Sequence, residues 1–283
     1  MEYSVKIKRI DVDDVVDHDK AKYNTNNHWV DDIRPEDYDQ KLSQGHTKNW
    51  IDFFHKSYHT ITLDNKDLMW MKEAFKIGRI TEKFSKIYQE ELNDTLEKYS
   101  DLPFFDGTKY FVRTEYVSLK YAMHGAGPYT DLKSILESLV SSMEGHSAFK
   151  DDDTSCTIYL MKWLEDLDPI KEFRIFVKDN KITALSQQNL YNDNTWLKNK
   201  EDKEIYEIVN KIINYFNANI KGHLIHVMDY VMDLALVNDE PYFIEINSFG
   251  KEYASGSSLF HWINDYDLLY GLNKDIELRI AVR

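Results

Sequence analysis

Residues 229–249 decide how the chain is read. They run Asp229-Tyr230-Val231-Met232-Asp233-Leu234-Ala235-Leu236-Val237, a turn at Asn238-Asp239-Glu240-Pro241, then Tyr242-Phe243-Ile244-Glu245-Ile246-Asn247-Ser248-Phe249. Two apolar runs around turn residues predict paired strands over 227–237 and 241–247. Side chains alternate across a strand, so Glu245 and Asn247 share one face, and Ile244, Ile246 and Ser248 take the other. Asp229 and Asp233 share a face of the first strand in the same way. A short hairpin loop brings Asp233 opposite Glu245 and Asn247. Two carboxylates and one amide oxygen then converge within an apolar sheet. Buried carboxylates repel one another and are costly unless paired. A hard cation such as Mg²⁺, which takes oxygen ligands, resolves that repulsion. The alternative is that these groups cap a sheet edge in water, and spacing alone leaves both readings open.

Working outward, the chain supplies cations. Arg113 ends the apolar strand Tyr110-Phe111-Val112-Arg113. Lys120 follows just before the loop His124-Gly125-Ala126-Gly127-Pro128. A strand-end cation beside a glycine loop suits a phosphate, and surface cations beside an ordinary turn look the same in sequence. In Lys171-Glu172-Phe173-Arg174-Ile175-Phe176-Val177, Glu172 and Arg174 share a face, and the arginine calls for an anionic partner, either in the neighbourhood of Glu172 or in a ligand phosphate. Strands over 172–178 and 181–187 meet at Asp179-Asn180, a strong hairpin signal. A further strand is expected over 156–163.

Helices are expected over 81–99, 131–143 and 202–219. For the first, Phe84, Ile87, Leu92, Leu96 and Tyr99 follow helical spacing behind a Thr81 cap. Ser100-Asp101-Leu102-Pro103 ends it. A boundary there divides the chain into residues 1–103, an N-terminal region and first subdomain, and residues 104–283, the core. Residues 1–10 suit a short strand. Residues 11–48 read as largely irregular, with Asp13-Asp14 and Asp31-Asp32 as a solvated face rather than a metal site. Trp50, Ile51, Phe53, Phe54 and Tyr58 form an aromatic anchor leading into the extended Thr60-Ile61-Thr62-Leu63.

Composition sets limits. The chain has 283 residues, with 49 acidic against 35 basic and a net charge of −14. That balance excludes a general nucleic-acid or membrane-surface role, both of which need a basic face. It fits a partner with a basic patch, or simply a soluble acidic surface. Cys156 is alone, so no intrachain disulfide forms. The charged start carries no apolar signal core, and no run approaches the length of a membrane span. A cytoplasmic protein is expected. His223 and His226 have no third ligand nearby, and no Walker loop, dinucleotide glycine motif or Gly-x-Ser-x-Gly is present.

The motifs also occur in a telling order. Trp50-Ile51-Asp52-Phe53-Phe54-His55-Lys56-Ser57-Tyr58-His59-Thr60 comes first. Tyr110-Phe111-Val112-Arg113-Thr114, Tyr159-Leu160-Met161-Lys162-Trp163 and Glu172-Phe173-Arg174-Ile175-Phe176-Val177 follow. Then come Ala184-Leu185-Ser186-Gln187, Asp233 with Glu245-Ile246-Asn247-Ser248-Phe249, and Gly256-Ser257-Ser258-Leu259-Phe260-His261-Trp262. Over residues 50–270 this resembles the cell division cycle protein 123 family, a branch of the ATP-grasp superfamily. The resemblance implies an α/β (α+β) ATP-grasp fold, in which two sheets clamp ATP, preceded by an N-terminal region. It assigns Arg113 and Arg174 to the phosphates, Lys162 and Trp163 to the adenine segment, and Asp233, Glu245 and Asn247 to Mg²⁺. Lys120 joins the phosphate side from its own position.

Two departures stand out. Glu245 and Ser248 occupy positions where the family usually has Asp and Pro. The chain also looks shorter than typical eukaryotic members. The family's role implies an assembly chaperone for eukaryotic translation initiation factor 2, acting on its gamma subunit. An ATP-dependent carboxylate–amine ligase working through an acyl phosphate is the enzymatic alternative. A nucleotide-free interaction protein is the third, and retention of Asp233, Glu245 and Asn247 argues against it.

Overall fold

A computed structural model describes residues 4–17, 22–25, 34–143, 145–253 and 255–283. The strands are β1 (Val5–Asp11), β2 (Tyr58–Leu63), β3 (Tyr110–Arg113), β4 (Cys156–Lys162), β5 (Glu172–Lys178), β6 (Lys181–Gln187), β7 (Tyr230–Val237), β8 (Glu240–Ser248) and β9 (Ile276–Val282). The helices are α1 (Val12–Val16), α2 (Tyr38–Gln44), α3 (Ile51–Phe54), α4 (Asn65–Thr81), α5 (Gln89–Lys98), α6 (Leu132–Leu139), α7 (Thr195–Lys198), α8 (Asp202–Tyr215) and α9 (Tyr266–Leu269). The fold is mixed α/β with two sheets, as expected.

The chain forms two compact units. The first comprises residues 1–45 and 166–283, and the second residues 46–165. The division expected near residue 103 falls inside the second unit.

Unit one is built on a six-stranded sheet in the order β1-β9-β6-β5-β7-β8. β1, β9 and β6 run parallel, and the β6-β5-β7-β8 half is antiparallel. Both tight hairpins turn on paired residues with positive φ, Asp179-Asn180 and Asn238-Asp239. Two-residue hairpin turns demand that backbone, and Asn and Asp tolerate it. Pro241 lies on β8, an edge strand, where a missing N–H does no harm. α2 covers that edge. Gly45 follows it so closely that a Cβ there would stand 3.0 Å from the Ile246 carbonyl.

α8 buries Ile205, Val209, Ile212 and Ile213 and continues into a π-helical turn over Phe216–Ile220. A Glu201/Glu204 capping box starts it. The sheet also carries an aromatic cluster around Phe176, Phe249, Phe260 and Trp262.

Unit two centres on the three-stranded antiparallel sheet β2-β4-β3. Ile61, Leu63, Val112, Ile158 and Leu160 pack with Leu68 and Met71 of α4, Leu92 of α5, and Ile135, Leu136 and Leu139 of α6. Each such side chain, fully buried, contributes about 1.5–3 kcal/mol of transfer free energy. Trp50 and Ile51 are buried, as the aromatic anchor requires.

Three local expectations need correction. The helix expected over 81–99 is α5, at 89–98, behind a 3₁₀ turn at Lys86–Tyr88. A separate helix, α4, ends at Thr81, with Glu82 in the left-handed region as its C-cap. The segment 11–48 is less irregular than expected: α1 and α2 lie in it, and Asp13 and Asp14 stand in the first turn of α1. Asp31 and Asp32 lie outside the described residues. Finally, β9 is a central strand that the sequence reading did not assign.

Candidate functional site

The register of unit one places five side chains in a single row across the sheet. Glu245 of β8 stands opposite Asp233 of β7, and Asp233 stands opposite Arg174 of β5. Arg174 faces Ser186 of β6, and Ser186 faces Arg279 of β9. Register partners share a face, so the row is a polar stripe on one side of the sheet. The hairpin expected from sequence is therefore present, and Asn247 lies two residues beyond Glu245 on the same face. A bulge leaves Ile244 without a partner between the Asp233/Glu245 and Leu234/Phe243 pairs. Bulges re-aim neighbouring side chains.

Asp233 is 3% exposed. Arg174 Nε donates to its Oδ1 at 2.9 Å, and Nη2 to its Oδ2 at 2.7 Å. This is the forked pair that a buried guanidinium favours. The third arm, Nη1, donates to the Gly256 carbonyl at 2.9 Å. Gln188 Nε2 reaches Asp233 at 3.4 Å. Asn247 Nδ2 donates to Glu245 Oε1 at 3.5 Å, which leaves its amide oxygen as the atom available for coordination. Asp229 is not part of this group. It holds Lys178 at 2.9 Å and the Asp179 amide at 2.8 Å, and so closes the β5–β6 turn.

The segment 255–262 is strapped over the row. Ser186 Oγ lies 3.0 Å from Ser258 Oγ and accepts the Leu259 amide at 3.2 Å. Arg279 Nη1 donates to the Leu259 carbonyl at 3.1 Å. The same arginine grips both oxygens of Asp265 at 2.8 and 2.6 Å and Glu277 at 2.6 Å. Sequence reasoning missed Arg279 and Asp265. The signal was present in Glu277-Leu278-Arg279, a charged pair at strand spacing between apolar residues.

The donor set suits a hard cation: two carboxylates and an amide oxygen, all oxygen ligands. Among the described residues no cluster of three or more His, Cys, Asp or Glu is assembled to hold a metal, so this mixed set is the candidate. The charge balance adds a condition. Asp233 Oδ1, which accepts from Arg174 Nε, keeps another lone pair, whereas Oδ2 accepts from both Arg174 Nη2 and Gln188 Nε2. A bare divalent cation beside that guanidinium is opposed by Coulomb repulsion. A cation that arrives with phosphate is not, because the anion also satisfies Arg174.

In unit two, Arg113 is 2% exposed. Its Nε donates to Thr47 Oγ1 at 2.9 Å, and its guanidinium lies 4.6 Å from the Trp50 ring centre. Thr47 in turn donates to the Thr114 carbonyl at 2.6 Å. Arg113 thus ties the aromatic anchor to β3. Burial, with Arg113 nearby, pushes the His55 pKa down to about 4. Lys120 is exposed, with its amine 5.3 Å from the Tyr121 ring centre. Lys162 is exposed at the end of β4, and the backbone N–H of Trp163 donates to the Lys109 carbonyl at 2.9 Å. The Trp163 indole reaches Glu165 at 3.3 Å. The structure brings together Arg174, Asp233, Glu245 and Asn247 on unit one, and it carries Arg113, Lys120, Lys162 and Trp163 on unit two.

A family model described as D123 matches residues 130–281, more than half of the chain. The chain belongs to the D123 family. The match includes Arg174, Asp233, Glu245 and Asn247, with Lys162 and Trp163, and lies beyond Arg113 and Lys120. The chain is 29% identical over 126 residues to a protein of Candida albicans named translation initiation factor eIF2 assembly protein. It is 34% identical over 110 residues to a protein of the same name from Lodderomyces elongisporus. These stretches cover 44% and 37% of this chain but only 34% and 27% of the relatives. Among solved structures, Cdc123 from Schizosaccharomyces pombe matches with a TM-score of 0.58 at 17% identity, covering 89% of this chain and 100% of that one. The two share a fold.

Proposed function

We propose that this D123-family protein is a nucleotide-dependent assembly factor. It binds ATP with Mg²⁺ and, in that form, holds eukaryotic translation initiation factor 2 through its gamma subunit in the cytoplasm. The observation that carries the nucleotide half is the set Asp233, Glu245 and Asn247 on one sheet face beside Arg174. The name shared by the two yeast relatives supports the partner class.

Asp233, Glu245 and Asn247 would hold the ion. Bound there, Mg²⁺ supplies positive charge to the nucleotide's phosphates. Arg174 orients Asp233 and offers its guanidinium to the phosphate side. On the family resemblance, Arg113 serves the phosphates, and Lys162 and Trp163 serve the adenine; Lys120, from its position before the glycine loop, joins the phosphate side. ATP then acts as a stabilising ligand: at a hundred times its Kd, a ligand that binds only the folded form adds about 2.7 kcal/mol.

The test is sedimentation of purified protein mixed with purified initiation factor 2 gamma subunit, in ATP with Mg²⁺ or in EDTA. A complex that forms with ATP and Mg²⁺ and weakens in EDTA is expected. Absence of a complex in either buffer refutes the assembly role. Release of ADP driven by an amine or carboxylate substrate, in place of complex formation, would make the protein a ligase.

A further inference from the structure

The strap touches the charged end of the polar row at the Gly256 carbonyl, which accepts Arg174 Nη1. That carbonyl is held from a distant part of unit one. Asn24 and Thr25 lie outside the residues matched by the family model, and both are laced to the strap. The Asn24 amide donates to the Ser258 carbonyl at 2.7 Å and to that of Phe260 at 3.1 Å. The Ser257 amide donates to the Thr25 carbonyl at 3.1 Å. The Trp262 amide donates to Thr25 Oγ1 at 3.0 Å, and the same oxygen lies 3.0 Å from Ser257 Oγ. Ser257 spends its hydroxyl hydrogen on the Phe260 carbonyl at 2.6 Å, so Thr25 is the donor in its bond to Ser257.

Gly256 is thereby bracketed on both sides. After it, Ser257 is fixed by Thr25. Before it, the Ser255 carbonyl accepts the Trp262 indole N–H at 3.0 Å, and Trp262 is itself tied to Thr25 through its amide. Thr25 is buried, so each of these bonds is made away from water. Space is as restricted as the hydrogen bonding. A Cβ added at Gly256 would stand 2.6 Å from Asn24 Oδ1 and 3.5 Å from Arg174 Nη1. The backbones that meet here are also unusual: Asn24 and Ser258 both have positive φ, 51° and 49°. Such conformations persist only where the surroundings fix them. For Ser258 the fixing bonds run from its hydroxyl to the Gln187 carbonyl at 2.7 Å and to Ser186 Oγ.

The consequence falls on Arg174. Asp233 holds two of its nitrogens, and the Gly256 carbonyl holds the third. With all three held, the plane of the guanidinium is set before any ligand arrives. A long side chain that is already immobilised loses no further rotamer freedom on binding. We propose that Asn24 and Thr25 are positioning residues for the phosphate side of the nucleotide site. They pin Ser257, Ser258 and Trp262, these fix the Gly256 carbonyl, and the carbonyl fixes Arg174. This rests on the nucleotide reading above and gives that site a support from the N-terminal part of the chain.

The experiment pairs calorimetry of ATP with Mg²⁺ with NMR of the Arg174 Nε–H signal in the ligand-free protein, assigned by its loss in Arg174→Met. Thr25→Val keeps the side-chain shape and removes the hydroxyl. It should weaken ATP binding about threefold to tenfold, the cost of ordering one long side chain. Solvent exchange of the Arg174 Nε–H should accelerate roughly threefold or more in the same variant. Thr25→Ser, which keeps the hydroxyl, should restore both. Gly256→Ala should also weaken binding, and Asn24→Gly/Gly256→Ala, which removes the overlapping amide, should recover most of the loss. A Thr25→Val protein that melts earlier but binds ATP and protects Arg174 as the wild type does would make the clasp purely structural and overturn the proposal, with the nucleotide reading intact. If Thr25→Val does not fold, the Gly256 pair decides: wild-type affinity in Gly256→Ala, or no recovery in the double variant, overturns it. A wild type that binds no ATP removes the nucleotide reading, and the phosphate role of Asn24 and Thr25 with it.

Discussion

Replacing Arg174 by Met tests the polar row most sharply. Met fills much of the same volume and removes the charge. Asp233, 3% exposed, then keeps a buried carboxylate without its forked partner, and the Gly256 carbonyl loses a charged donor. Removing one member of a buried ion pair costs about 3–5 kcal/mol, mostly as the desolvation of the charge left behind. The Arg174 and Asp233 side chains are only 12% and 4% exposed, so solvent screening reduces this little. Hydrogen exchange at β5 and β7 amides gives the local free energy. At about 1.4 kcal/mol per factor of ten, exchange there should accelerate by roughly two to nearly four powers of ten. The double variant Arg174→Met/Asp233→Asn removes the stranded charge and should recover most of the loss, giving a large coupling between the sites. A loss below about 1 kcal/mol in the single variant, or no recovery in the double, refutes the pairing as the organiser of this face.

Other predictions follow from packing and titration. At Gly78 of α4 an added Cβ would lie 1.8 Å from the Val140 carbonyl oxygen. Helix propensity favours Ala there by about 1 kcal/mol, but overlap with fixed backbone outweighs it, so Gly78→Ala should lower stability by about 2–3 kcal/mol in urea unfolding. His55 is held neutral in the fold, with its pKa pushed from the ordinary 6.5 down to about 4. The unfolded chain therefore binds a proton that the folded one refuses. Stability is full above pH 6.5 and falls by about 3 kcal/mol as pH drops towards 4, and His55→Leu should flatten that part of the pH profile of unit two.

Strongly patterned segments were legible in the sequence. The hairpins β5–β6 and β7–β8 announced themselves through alternation and through Asp-Asn or Asn-Asp turns, and the pairing of Asp233 with Glu245 followed from strand geometry. The anionic partner of Arg174 was expected near Glu172 or in a ligand phosphate, and the fold supplies Asp233 instead. That the anion is Asp233 depends on β5 lying next to β7, which no local pattern encodes. α4 was missed although Asp64 and Asp67 form a capping box ahead of Leu68 and Met71, because the later run from Phe84 to Tyr99 drew the helix toward itself. β9 lay beyond the last motif and was assigned no element. Its insertion between β1 and β6 is a long-range pairing, and with it went Arg279, the far anchor of the row. The strap at 255–262 was visible only as a motif, since its anchors lie on β5, β6 and β9.

The most direct test of the central claim is calorimetric titration of ATP, with and without Mg²⁺, into the wild type and Glu245→Ala. The account predicts Mg²⁺-dependent binding to the wild type that is weakened at least tenfold in the variant, with little heat from Mg²⁺ alone because Arg174 opposes a bare cation. Wild type that takes up no ATP in either condition, or a Glu245→Ala protein that binds Mg²⁺ and ATP as the wild type does, would contradict it.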